Sequence, residues 1–334
     1  MPKLSRREFL KTISMTTGTI VFNQVISACA AKPQNTNSVQ KITEPAGPLE
    51  PGKPLTTEQP DQTKFPDLVV TRQGTPEDLT RRAVEALGGM KRFVPQGAKV
   101  IVKPNICVAY HTYEYAATTN PWVVGALVKM CYEAGASKVQ VMDYPFGGTP
   151  QEAYSRSGIA EQVALAGGEM VTMSRLKFIS TDINAGQDLR EARIYKDALN
   201  TDVLINVPIA KHHSLARLTL GMKNLMGLIR DRSAIHQNLG QRLADLTSAL
   251  RPDLTVIDAV RMLMANGPTG GDLGDVKDMK TVIASADIVA ADSYAATLFG
   301  LQPDDLGYIR AATTMGLGVS DLKNLRIEEI VIDA

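Results

Sequence analysis

The order of apolar and polar positions divides much of the chain into short apolar runs separated by longer mixed ones. Leu68-Val69-Val70, Val100-Ile101-Val102, Val139-Gln140-Val141-Met142, Val203-Leu204-Ile205-Asn206-Val207, Leu254-Thr255-Val256-Ile257 and Thr281-Val282-Ile283-Ala284-Ser285 are too short for helices and rich in β-branched residues. Each predicts a buried strand. Helix signals lie between them. Thr75-Pro76-Glu77-Asp78 joins a capping hydroxyl, a proline at the first helical position and acids in the first turn. Asn120-Pro121 opens a helix whose Val123, Leu127, Met130 and Ala134 share one face, and Gly135 stops it. Strands and helices alternating at these lengths predict an α/β fold, a mainly parallel sheet with helices on both faces in three layers, formed by residues 66–334 as a single domain.

Before residue 66 this pattern is lost. Residues 5–11 read Ser-Arg-Arg-Glu-Phe-Leu-Lys and are followed by an uncharged, moderately apolar stretch from Thr12 to Ala28. That layout predicts a twin-arginine export signal over residues 1–28, with Arg6 and Arg7 read by the translocase. Ile26-Ser27-Ala28-Cys29 resembles a bacterial lipoprotein processing box, which would leave Cys29 as an acylated first residue of the mature protein. Two or more acyl chains would hold the protein to a membrane without spanning it, facing the periplasm or the cell exterior. Residues 29–65 are rich in Pro, Gln, Thr and Gly and poor in large apolar residues, so they predict a disordered tether. As a flexible coil it would reach about 30 Å or more.

Charge narrows the range of partners. With 36 basic and 35 acidic residues the formal charge is +1, which argues against a nucleic-acid binder. Local charge is another matter. From Val203 to Ile229 there is no acid, yet Lys211, His212, His213, Arg217 and Lys223 all fall inside, in a chain that is 21% charged. A basic strip without counter-charges, placed after a buried strand where parallel sheets open to ligands, predicts an anion site. Other strand ends supply Lys103 and Asn105 after Val102, Asp143 after Met142, and Asp258 after Ile257. Lys103, Asn105, Lys211, Lys223 and Asn224 are candidate ligand contacts, with Gly267 from the glycine-rich loop that begins at Asn266. His212 and His213 are candidate general acids or bases, because an ordinary histidine titrates near neutrality. Asp143 and Asp258 are candidate ligands for a metal ion. Thr219 to Gly227 reads as helical, and its glycines, Gly221 and Gly227, imply something packed close to the backbone.

In order along the chain, Lys103-Pro104-Asn105, Thr118-Thr119-Asn120-Pro121 with Val124, Gly135-Ala136, Asp143, Lys211-His212, Thr219, Lys223-Asn224, Gly227, Asn266-Gly267-Pro268, Ser285, Asp287 and Asp292 resemble the domain-of-unknown-function 362 family. The resemblance covers approximately residues 68–333 and implies a family with little assigned chemistry. Many of its members carry a ferredoxin-like iron-sulfur domain. This chain has only Cys29, Cys107 and Cys131, too few thiolates for an ordinary cluster, so no iron-sulfur cluster is expected from this chain alone. Cys131 falls beside the apolar face of its helix, and Cys107 lies in the loop after Asn105. Three functional readings remain open: an enzyme acting on a small anionic substrate, a non-catalytic receptor for an anionic metabolite, and an accessory subunit of an exported redox complex.

Overall fold

The computed structural model describes residues 64–332. Arg6, Arg7 and Cys29, on which the export and lipidation readings rest, lie outside the described residues.

Twelve strands appear: β1 (Leu68–Arg72), β2 (Lys99–Pro104), β3 (Lys138–Val141), β4 (Glu169–Met170), β5 (Phe178–Asp182), β6 (Glu191–Tyr195), β7 (Val203–Val207), β8 (Ile209–His213), β9 (Arg217–Thr219), β10 (Leu254–Leu263), β11 (Val276–Ser285) and β12 (Ile327–Val331). The helices that matter for the site and core are α1 (Pro76–Ala86), α2 (Pro121–Glu133), α3 (Pro150–Arg156), α4 (Ile159–Leu165), α5 (Gly221–Asn224), α6 (Leu239–Ala249), α7 (Ile288–Thr297) and α8 (Gly307–Thr314). The main sheet runs β12-β1-β11-β10-β7-β2-β3-β4, and β8 leaves it to pair with both β10 and β9. Its centre and one flank are parallel, from β10 through β7, β2 and β3 to β4. Antiparallel pairing enters where β11 sits between β1 and β10, and in the β8–β9 hairpin. The fold is thus a mainly parallel mixed sheet with helices on both faces.

Strand alternation explains the layers. Val69, Val100, Val102, Val203, Ile205 and Val256 point to one side, where they pack with Leu79, Ala83 and Val84 of α1, Val123 and Leu127 of α2, and Ile159 and Val163 of α4. Their neighbours Leu68, Val70, Ile101, Leu204, Ile257 and Ile283 point to the other, against Leu243 and Leu246 of α6, Val289 and Ala290 of α7, and Tyr308 and Ile309 of α8. Strands buried on both faces need continuous apolar sequence, which is why they stand out along the chain. Helix starts also follow the sequence signals: the Thr75 side chain accepts from the Asp78 amide, and Asn120 accepts from Trp122. Cys131 is buried in α2, where desolvation pushes its thiol up to about 12.

Beyond Pro208 the chain continues as β8 and turns back through β9, because Lys211 and Thr219 pair across a short hairpin. Thr219 to Gly227 differs from expectation and is not one helix. A single turn, α5, follows the hairpin and gives way to a 3-10 turn at Leu225–Leu228. Gly221 makes that turn possible: an added Cβ would lie 2.6 Å from Asp292 Oδ1, which accepts the Gly221 and Met222 amides.

Candidate functional site

The site lies at the carboxyl ends of β2, β3 and β7, roofed by the β8–β9 hairpin and α5. Lys103 ends β2 with a side chain that is 1% exposed. Its Nζ sits 3.0 Å from Asp143 Oδ1 and donates to Asn224 Oδ1 at 2.7 Å. Asp143 also accepts the Ile106 amide at 2.6 Å and its neighbour Tyr144's amide at 2.9 Å, so one carboxylate ties the β2 loop to the end of β3. Asn224 completes the floor. Its Nδ2 donates to Asn206 Oδ1 and to the Lys103 carbonyl, and its Oδ1 accepts a second bond from Asn105 Nδ2. Gly227 closes over this pair so tightly that a Cβ there would lie 1.8 Å from Asp143 Oδ1 and 2.5 Å from Lys103 Nζ.

Lys211 enters from the hairpin, also 1% exposed. Its Nζ donates to the carbonyls of Ala117 (2.6 Å) and Pro268 (2.8 Å), and also lies near Asn105 Oδ1 (3.1 Å) and Cys107 Sγ (3.3 Å). None of these acceptors is a carboxylate. His213 follows two residues later. Its Nδ1 accepts the amides of Leu215 and Ala216, so the ring proton of the neutral form resides on Nε2. Burial, then the charges of Lys223 and Lys211, push His213 down to about 3. Lys223 comes from α5 and has no hydrogen-bond or ion-pair partner among the described residues. Desolvation, reinforced by Lys211 and Arg232, lowers it to about 8. Arg232 donates to the carbonyls of Tyr144 and Met226, and burial lowers it from its ordinary range.

Together these side chains line a cavity of about 320 Å³, with Cys107, Tyr144, Phe146, Thr219, Met226, His236 and Pro268 completing its wall. Lys103, Lys211, Lys223 and Arg232 face it, and Asp143 is the sole acid in the wall, already paired to Lys103. Thr219 is 2% exposed, and its hydroxyl has no partner among the described residues.

Of the residues expected from sequence, the structure brings Lys103, Asn105, Asp143, Lys211, His213, Lys223 and Asn224 to one cavity. It does not bring His212, Gly267 or Asp258 there. His212 alternates to the other side of β8, and its Nδ1 accepts the Gly267 amide at 3.1 Å. Gly267 is a glycine because a Cβ would lie 1.8 Å from the His212 carbonyl, a packing need rather than a ligand approach. Asp258 binds the amides of Asn120 and Val260, holding the start of α2 against β10. Asp143 and Asp258 therefore do not meet at one cavity, and among the described residues no three His, Cys, Asp or Glu side chains gather in one place. The titration near neutrality that made His213 a candidate acid or base is also absent, because the site buries the ring beside two lysines. Sequence reasoning missed Phe146, Met226 and His236. Phe146 had a readable signal, since it follows the polar end of β3 by only a few residues.

The profile of the domain of unknown function DUF362 matches residues 100–297, more than half of the chain, which therefore belongs to that family. A thylakoid-associated protein of Synechocystis sp. is 27% identical over 252 residues, covering 71% of this chain and 74% of that protein. Among solved structures, the lactate racemase apoprotein from Thermoanaerobacterium thermosaccharolyticum aligns with a TM-score of 0.48 at 14% identity, over 69% of this chain and 56% of that one. A Thermotoga maritima protein aligns with a TM-score of 0.36 at 12% identity, over 68% of this chain and 60% of that one. The chain thus spans less than two thirds of the length of either structure.

Proposed function

We propose that this protein binds a small anionic ligand in the cavity between β2, the β8–β9 hairpin and α5. The observation that carries this reading is the wall's charge. Four cations face the cavity, and its single carboxylate is already engaged by Lys103. Lys211 and Arg232 rest on neutral acceptors and Lys223 on none, an arrangement that disfavours the empty site and favours an anion that supplies the missing charge. Isothermal titration with inorganic phosphate, sulfate and simple carboxylates tests it. Saturable binding that Lys223→Met weakens supports the reading, and no binding by any of these anions to the folded protein overturns it.

A catalytic reading has one specific observation in its favour. Lys223, at about 8, can give or take a proton near neutral pH beside a bound ligand, as a general acid or base must. Conversion of a bound ligand into product by the wild-type protein, lost in Lys223→Met, would distinguish an enzyme from a receptor.

The same proposal places the protein outside the cytoplasm on a lipid anchor, on the strength of Arg6-Arg7 and the Ile26-Ser27-Ala28-Cys29 box. Among the described residues no helix is long and apolar enough to cross a membrane. The Synechocystis relative is named a thylakoid-associated protein. Replacing Arg6 and Arg7 by Lys should leave the precursor in the cytoplasm, and Cys29→Ala should abolish acylation. Unchanged export of the first variant, or membrane retention of the second, would remove this part of the proposal.

A further inference from the structure

The cavity is polarised from floor to lip. Its floor is made of buried polar groups: Lys103 and Lys211 at 1% exposure, Asn224 and Thr219 at 2%. Its more exposed side carries Phe146, 57% exposed, with Tyr144 half-buried two residues before it and the exposed His236, while Met226, buried, brings a thioether to the wall. An exposed phenyl ring at the mouth of a basic pocket is poorly placed for a bare ion, which would leave it in water. It is well placed for a ligand whose second half is apolar.

The polar end shows where the first half goes. Three donors reach the cavity wall without a partner among the described residues: the Thr219 hydroxyl, the Nε2–H of His213 and the ammonium of Lys223. Register and chain path put them together. Thr219 lies opposite Lys211 across the hairpin, His213 is two residues beyond Lys211 on the same face of β8, and Lys223 is four residues beyond Thr219 over a single helical turn. The ordering of charges felt by His213, in which Lys223 precedes Lys211, agrees with this proximity. A buried hydroxyl without a partner is uncommon in a finished interior, and here it faces a cavity.

Resting on the anion reading above, we propose that the ligand is an organic anion carrying an apolar group, with its oxyanion held by Thr219, His213 and Lys223 and its apolar body lying along Met226, Tyr144 and Phe146. The cavity volume of about 320 Å³ sits at the lower end of the range for ligand pockets. That leaves room for an oxyanion with one ring or a short chain, and not for a lipid tail.

The test compares matched probes by titration calorimetry on the full mature chain: inorganic phosphate against phenyl phosphate, and acetate against phenylacetate. In at least one pair the aryl member should bind tenfold or more tightly than its parent. Phe146→Ala, an exposed position whose loss should leave folding intact, should remove most of that gain, weakening the aryl member at least fivefold more than its parent. Thr219→Val should weaken both members of the pair by a similar factor. A gain below tenfold in both pairs, or equal weakening of parent and aryl probe by Phe146→Ala, overturns the inference while phosphate or acetate binding keeps the anion reading intact. Failure of all four probes removes the anion reading itself, and this inference with it.

Discussion

Asp245, Asp258 and Asp292 are as deeply buried as Lys103 and Lys211 of the cavity, with Lys223 half-buried beside them, and the acids and the bases are satisfied in opposite ways. Each of these acids has both carboxylate oxygens engaged by backbone amides or neighbouring side chains. Asp245 accepts from Gln187, Asp188 and Leu189, Asp258 from Asn120 and Val260, and Asp292 from Gly221 and Met222. They fasten loops and helix starts to the core. The bases form a descending series instead. Lys103 has a carboxylate, Lys211 has only neutral acceptors, and Lys223 has none among the described residues. A buried charge with full coordination serves the fold, whereas a cation left without a counter-charge at a cavity lowers stability unless a ligand completes it. The comparison therefore separates fold-making residues from ligand-binding ones within a single class of buried charge.

The largest effect expected on the fold-making side is at Asp245. Asp245→Ala leaves three loop amides without an acceptor, that of Leu189 buried and those of Gln187 and Asp188 partly so, and at about 1 to 3 kcal/mol for a buried donor and less for the other two a loss of about 3 kcal/mol in all is expected in chemical denaturation. A loss below about 1 kcal/mol would mean that water readily replaces the carboxylate, and the structural role assigned to this acid would be wrong. Next comes Asp143, which stands on the border between the two groups. Asp143→Asn strips the counter-charge from Lys103, a change that costs about 3 to 5 kcal/mol when a buried charge is stranded. The lower end is expected, because desolvation already holds Lys103 at about 8 and the lysine can shed its proton. If the variant is as stable as the wild type, the ion pair is not what holds the β2 loop to β3.

How much of this was legible in the sequence differs between the fold and the site. The parallel centre was readable because Val100–Val102, Val203–Val207 and Leu254–Ile257 are buried on both faces and so form continuous apolar runs. The hairpin after Pro208 was not, since Ile209-Ala210-Lys211-His212-His213 mixes apolar and charged residues at a strand length that also suits a loop. At the site, the acid-free strip pointed to Lys211 and Lys223, which the fold brings to one cavity, because a missing counter-charge is a property of composition. The choice between His212 and His213 depended on which face of β8 each occupies, and that alternation is fixed only once the strand is known to exist. Asp258 and Asp143 looked alike as strand-end acids. Amides approach both, and their difference lies in the ammonium that joins them at Asp143; the distant partners come from residues 138 positions away in one case and 40 in the other, counting Asn120 to Asp258 and Lys103 to Asp143.

On the ligand side of the comparison, Lys223→Met should reverse the pattern seen at Asp245. A charged hydrogen bond contributes about 1.5 to 3 kcal/mol, so the best-bound simple anion should lose about ten- to a hundredfold in affinity. Thermal stability without ligand should be equal or higher. The lysine is held at about 8 against a usual 10.5, so folding disfavours its charged form. That penalty is fully present below about 8 and disappears above about 10.5, which makes the variant's gain largest at neutral pH and absent in strong alkali. A variant that melts well below the wild type at neutral pH would place Lys223 among the fold-making residues.

The smallest effect, and the sharpest test of which cation matters, is the pH dependence of binding. Sulfate is the suitable probe because its charge is constant across the range. Lys223 keeps its proton below about 8, so affinity should be level on that side and fall above it, approaching tenfold per pH unit if the charged lysine alone binds. His213 adds no step near the ordinary histidine range, because it stays neutral until about 3 and acts only as an Nε2–H donor, and any acid-side step belongs to His236, which burial and then the charge of Lys223 hold below that range. In Lys223→Met the alkaline fall should flatten. Lys103 also sits at about 8, but its ammonium already faces Asp143, so its deprotonation should change sulfate affinity less. An alkaline fall of full slope in the variant would assign the profile to Lys103 and move the anion to the floor of the cavity. A level profile in the wild type through about pH 10 would mean that neither lysine carries the bound charge.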